Sequence, residues 1–253
     1  MTSWPATPTD VQSEQEAALK LVIFDIDGTL IESTAVDDAC FLRAAEEVLG
    51  VRSPDADWAN YPHCSDTGLV SELLRRYVGR EARAEDVERF RQRFRALLED
   101  AVRTQPSLFS PIPGIHELLE RLAEREDIAV AVATGGFEVT ARAKLDWACL
   151  PLQAHPAAFS EDGPSRESIV TAAVRRAGEA HGRTDFDRII SIGDGVWDVR
   201  TAASLGVGFV GRASADDADR LRREGAEMVI SDYLDEPELL RTILAAATPD
   251  TRA

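Results

Sequence analysis

The stretch Leu21-Val22-Ile23-Phe24-Asp25-Ile26-Asp27-Gly28-Thr29-Leu30 decides the fold. Its apolar half reads as a strand of a parallel sheet, because a continuous apolar run of this length leaves no face for solvent. The run stops at two carboxylates, a glycine and a threonine, so Asp25 and Asp27 stand where the strand ends. In open α/β sheets, ligands gather beyond the carboxyl ends of the strands. Two like charges under cover are costly unless a cation or a retained proton offsets them. The pair therefore implies a divalent metal or a proton held on one member.

Downstream of that strand, residues 35–49, 66–78 and 85–102 read as three successive helices. In the third, Val87, Phe90, Phe94, Leu97, Leu98 and Ala101 recur at spacings of three and four and make one apolar face. Pro111, Pro113 and Gly114 mark the way out of this segment, and strand then alternates with helix to the end of the chain. Residues 128–133 form an apolar strand ending at Thr134-Gly135-Gly136, and residues 188–192 another ending at Gly193-Asp194-Gly195-Val196-Trp197-Asp198. Such alternation predicts an α/β fold, a Rossmann-like parallel sheet core with helices on both faces and an inserted helical module. The expected boundaries are a flexible N-terminus over 1–18, the core over 19–32 and 109–250, and the helical insert over 33–108.

Composition narrows the partners. The 253-residue chain carries 45 acidic against 28 basic residues, a net charge of −17, which disfavours nucleic acid and anionic membrane surfaces as partners. No apolar run approaches the roughly 18 residues of a membrane span, and the first 18 residues lack the basic start and apolar core of a signal peptide. Cys40, Cys64 and Cys149 are odd in number and form no C-x-x-C pair, which fits a reducing, cytoplasmic location. Lys20 and Lys144 are the only lysines.

Three strands thus end in polar, glycine-containing turns that would converge at one edge of one sheet. This set, in this order, resembles the haloacid dehalogenase-like (HAD) hydrolase superfamily, whose members are mostly Mg²⁺-dependent phosphatases. The resemblance implies that Asp25 attacks phosphorus to form an aspartyl-phosphate, and that Asp27 protonates the leaving oxygen and later takes a proton from water. It implies Mg²⁺ as cofactor, held by the Asp25 carboxylate, the Asp27 main-chain carbonyl and the Asp194 carboxylate, with Asp198 behind these ligands. Thr134, the Gly135 amide and a cation would hold the phosphoryl oxygens. That cation is usually Lys in this family; here Arg166 occupies its place, and Lys144, lying within the helix after Thr134, is the poorer candidate.

By the same resemblance the insert is a small helical cap of the C1 type, and the loop containing His63, Ser65, Asp66 and Thr67 reads the leaving group. The expected function is a phosphatase acting on a small phosphorylated metabolite. The alternatives are a sugar phosphomutase of the β-phosphoglucomutase kind and a catalytically weak relative that binds a phosphorylated ligand. A dehalogenase of the superfamily lacks the second aspartate, a phosphonate-cleaving member needs a cap lysine, and P-type ATPases carry Lys where this chain has Ile26.

Plainer readings compete for the same residues. An EF-hand calcium loop would need Gly at position 30 and Glu at position 36, where the chain has Leu30 and Val36. Gly193-x-Gly195 lacks the third glycine of a dinucleotide fingerprint. Asp194 and Asp198 can serve as helix caps, and Arg166 as a solvated first-turn residue. His63 can be an ordinary loop residue and Cys64 a small hydrophobe. The Arg89-Phe90-Arg91-Gln92-Arg93-Phe94-Arg95 run reads as a solvated helix face rather than a nucleic-acid patch, because its phenylalanines belong to the buried stripe.

Overall fold

A computed structural model of the chain describes residues 18–234 and 236–250. The expected flexible segment, apart from residue 18, lies outside the described residues. Six parallel strands run in the order β3-β2-β1-β4-β5-β6. They are β1 (Lys20–Phe24), β2 (Ile128–Ala133), β3 (Ala157–Ala158), β4 (Arg188–Gly193), β5 (Gly208–Arg212) and β6 (Val229–Ile230). The first strand is central, in register with β2 from Lys20 opposite Ile128 and with β4 from Lys20 opposite Arg188. The chain builds outward on one side of β1 and then on the other, so the topological switch falls between β1 and β4, where this architecture places its ligands.

Side chains of β1 alternate between the two faces, as the pleat requires. Val22 and Phe24 join a core with the helical segment, α4 (Ile115–Ala123), α5 (Glu138–Trp147) and α9 (Glu236–Ala245). Leu21 and Ile23 meet Ile169, Val170, Ala173 and Ala177 of α6 (Arg166–His181) on the opposite face. Beyond β4, α7 (Val196–Leu205) and α8 (Ala215–Arg223) pack on β5. Both faces are covered, which is why β1 and β2 could be apolar throughout.

Between β1 and β2 lie α1 (Thr34–Ala44), α2 (Asp66–Leu73) and α3 (Ala84–Thr104). The first two continue into a wider π turn, Ala45–Leu49 and Leu74–Val78, and stop at Gly50 and Gly79 in the left-handed conformation that glycine accepts at helix ends. The expected apolar face of α3 is buried at Phe90, Phe94, Leu97 and Leu98, with Phe41 of α1 packed on both rings. Three of the four arginines between positions 89 and 95 are ion-paired: Arg91 with Glu88 and Glu161, Arg93 with Glu47, Arg95 with Glu99. The run is the paired, solvent-facing side of a helix. No described helix is long and apolar enough to cross a membrane.

Candidate active site

The ends of β1, β2 and β4 meet as the sequence requires. Asp25 follows β1 with its N–H donating to the Ile192 carbonyl at 3.0 Å, which fixes the backbone at the sheet edge. The chain then turns at Gly28, whose φ of 72° and whose nearness to Asp194 admit no side chain: a Cβ there would overlap Asp194 Oδ2. One oxygen from each of Asp25, Asp194 and Asp198 lies within 4.8 Å of the others. Burial, with the charges of Asp198 and Asp27, pushes Asp25 up to about 7 against the opposing charge of Arg166. Burial, with the charges of Asp25, Asp198 and Asp27, pushes Asp194 well above the usual carboxylate range. Asp25 Oδ1 is buried without a hydrogen bond. An oxygen-rich, under-compensated cluster of this kind suits a hard divalent cation.

Arg166 is the first residue of α6, a position where the helix dipole disfavours a cation. Carboxylates offset that cost: Nη2 lies 2.5 Å from Asp198 Oδ1 and 3.2 Å from Asp25 Oδ1, and the residue is only 7% exposed. Asp198 in turn accepts the Gly195 N–H at 3.0 Å, tying the start of α7 to the same network. Beside this network, Thr134 is buried and Gly135 approaches Arg166 so closely that a Cβ would stand 2.6 Å from Nη1. Asp25, Thr134, Gly135, Arg166 and Asp194 thus border one cavity of about 90 Å³.

Asp27 also borders this cavity. Its carboxylate accepts Ser33 Oγ at 2.5 Å and both oxygens accept Lys144 Nζ, at 2.8 and 2.7 Å. Lys144, from the middle of α5, is 1% exposed and also pairs with Asp37 of α1. Burial, then the charge of Asp27, pushes Asp37 well above the usual carboxylate range despite that lysine. Two carboxyls therefore share one ammonium beside the cavity. Lys144 does not border the cavity, consistent with Arg166 as its cation.

The helical segment lines one part of the cavity. The Asp66 N–H donates to the Gly135 carbonyl at 2.7 Å, and Asp66 Oδ2 accepts the Phe137 N–H at 2.8 Å at the start of α5. Ser65 Oγ donates to the Pro164 carbonyl at 2.8 Å, and Thr67 Oγ1 lies 3.1 Å from Ser160 Oγ.

A family model of haloacid dehalogenase-like hydrolases matches residues 19–206. The chain belongs to that family. The hydrolase is also similar to solved structures. One is a hydrolase from Pseudomonas syringae, 25% identical with a TM-score of 0.67, over 88% of this chain and 98% of that one. A candidate β-phosphoglucomutase from Bacteroides vulgatus is 17% identical with a TM-score of 0.66, over 91% and 90% of the two chains. A phosphonoacetaldehyde hydrolase-like protein from Oleispira antarctica is 18% identical with a TM-score of 0.61, over 89% and 92%. No curated protein sequence matches the hydrolase.

Of the loop residues singled out from the sequence, Ser65 and Asp66 border the cavity, Thr67 faces Ser160, and His63 is exposed beside a separate cleft. Cys64, set aside as inert, borders the cavity, and burial raises its thiol far above the usual range, so it stays protonated. Sequence reasoning missed Asp37, Asp38, Phe41 and Trp58, which line the same space from the helical segment. The adjacent acidic pair at the start of α1, just after the first motif, is the signal that could have found two of them.

Proposed function

We propose that the hydrolase is a Mg²⁺-dependent phosphatase that cleaves small phosphate monoesters through an aspartyl-phosphate at Asp25. The observation that carries this reading is the Asp25 carboxylate bordering the cavity, with Arg166, Thr134 and Gly135 beside it and Asp27 held next to it. The Asp25, Asp194 and Asp198 carboxylates fit a divalent cation, with the Asp27 main-chain carbonyl as a further ligand; Mg²⁺ bound there supplies positive charge that lets the phosphate dianion approach Asp25.

In the first step an Asp25 oxygen forms the new P–O bond as the ester P–O bond breaks, and Asp27 delivers a proton to the leaving oxygen. Lys144 and Ser33 orient Asp27 for that transfer. Arg166 and the Thr134 hydroxyl hold the equatorial phosphoryl oxygens where charge develops. In the second step Asp27 takes a proton from water as that water attacks phosphorus, which frees phosphate and the Asp25 carboxylate. The segment from α1 to α3 acts as a cap that excludes bulk water.

A mutase of the β-phosphoglucomutase kind handles sugars that carry a second phosphoryl group. The cap side of this cavity presents Asp37, Asp38 and Asp66, which would repel that group. Hydrolysis is therefore favoured over isomerisation. Phosphate release from p-nitrophenyl phosphate and from alkyl phosphates, measured with Mg²⁺ and with EDTA, tests the reading. Release falls by about 10³-fold or more in EDTA and returns when Mg²⁺ is restored; release that is indifferent to EDTA would contradict the role given to the carboxylate cluster.

A further inference from the structure

We propose that the ester cleaved here has a small cationic leaving group, an amino alcohol whose protonated amine is received by Asp38 and Asp66. The proposal rests on the phosphatase reading and names the substrate class of the same site. Asp38 and Asp66 both line the cavity over Asp25, and neither forms a salt bridge among the described residues. Asp66 is 7% exposed; its Oδ2 is held by the Phe137 N–H, while Oδ1 accepts no hydrogen bond among the described residues. Asp38 Oδ1 accepts the Trp58 indole N–H at 2.7 Å, and its other oxygen has no donor among the described residues. Carboxylate oxygens left open toward a cavity can accept a charged donor from the ligand.

The walls supply the second half of the argument. Phe41, Trp58 and Trp197 border the same cavity, with the Phe41 and Trp58 rings edge to face at 5.4 Å. Aromatic faces beside carboxylates receive an ammonium and its methylene groups, and attract neither a second phosphate nor a carboxylate.

The cations nearby are already engaged. Arg166 is held by Asp25 and Asp198, and Lys144 by Asp27 and Asp37. Beyond Trp58 and Trp197 the cavity adjoins a wider cleft of about 690 Å³. Its two arginines are also paired, Arg212 with Glu32 and the Gly28 carbonyl, Arg220 with Asp57 at 2.7 Å. No described cation bordering either space is left unpaired to hold a second anionic group of a substrate.

The test compares kcat/KM of the Mg²⁺-loaded full chain for 2-aminoethyl phosphate, glycerol phosphate, phosphoglycolate and p-nitrophenyl phosphate. Aminoethyl phosphate should exceed glycerol phosphate by about tenfold or more, since a charge-assisted hydrogen bond is gained, and phosphoglycolate should rank last. The Asp38→Asn variant should reduce the ratio of aminoethyl to glycerol phosphate by about fivefold or more. Glycerol phosphate or phosphoglycolate ranking first, with p-nitrophenyl phosphate still cleaved, would overturn the substrate class and leave the phosphatase reading standing. No release from any ester, p-nitrophenyl phosphate included, would overturn both.

Discussion

Replacing Asp25 by Asn lowers phosphate release from every ester by about 10⁴-fold or more, because the amide provides no nucleophilic oxygen and no alternative carboxylate replaces it on the substrate side. Asp27 is bound to Lys144 and Ser33, and Asp198 is engaged by Arg166 and the Gly195 N–H. The loss is not one of folding. Burial pushes the Asp25 carboxyl up to about 7, so its ionised form is disfavoured in the folded protein relative to the unfolded chain. The sign follows from linkage: its contribution to stability is full below the unfolded carboxylate range and is lost as pH rises through about 7. Thermal melts in EDTA at pH 8 should therefore show Asp25→Asn at least as stable as the natural chain. An inactive variant that also melts lower would point to a structural role, and activity retained within tenfold would place the nucleophile elsewhere.

The second large effect is expected at Lys144. This lysine is enclosed, with Asp27 and Asp37 as its ion-pair partners and the Phe94 ring 5.9 Å from Nζ. Lys144→Met leaves two carboxylates facing each other without a counter-charge, which costs about 3–5 kcal/mol in denaturant unfolding near neutral pH. Adding Asp37→Asn should recover part of that loss, since the two changes share one network. The kinetic signature is separate. A carboxyl that has lost its anchor delivers its proton from the wrong place, a displacement worth about 10²-fold in rate for alkyl phosphates. The loss should be smaller for p-nitrophenyl phosphate, whose leaving oxygen needs little protonation. Equal losses on the two esters would reduce Lys144 to a structural ion pair.

The core of the fold was legible because one physical demand was repeated. The apolar runs of β1 and β2 can exist only where both faces of a sheet are covered, and the polar turns that end β1, β2 and β4 then have to share one edge. Other parts carried no local signal. The strand β3 is two alanines, held by pairing with Val132 and Ala133 rather than by any pattern of its own. Lys144 could be weighed only as a poorer candidate for the phosphate cation, because its partners Asp27 and Asp37 lie 117 and 107 positions away. Arg166 was singled out by its place in the chain alone, and only the tertiary structure brings Asp25 and Asp198 around it to make a buried cation tolerable at a helix start.

The acidic lining contributed by α1 was hidden for a related reason. Asp37 and Asp38 read as ordinary N-terminal residues of a helix, where carboxylates are favoured by the dipole. Their second role depends on the tilt of that helix over the β1 turn, which no residue spacing encodes. His63 shows the reverse: its chemistry attracted notice, yet the loop turns it to the surface beside a separate cleft and presents Ser65 and Asp66 to the cavity instead.

The most direct test of the aspartyl-phosphate is to catch it. Asp27→Asn, which keeps the nucleophile but loses the group that activates water, is mixed with p-nitrophenyl phosphate and Mg²⁺, quenched in acid and digested for peptide mass analysis. The account predicts a phosphoryl addition on the peptide containing Asp25, absent when Asp25→Asn is combined with it. A phosphoryl group on a different residue, or turnover by the natural chain with no phosphorylated peptide trapped in either form, would contradict it.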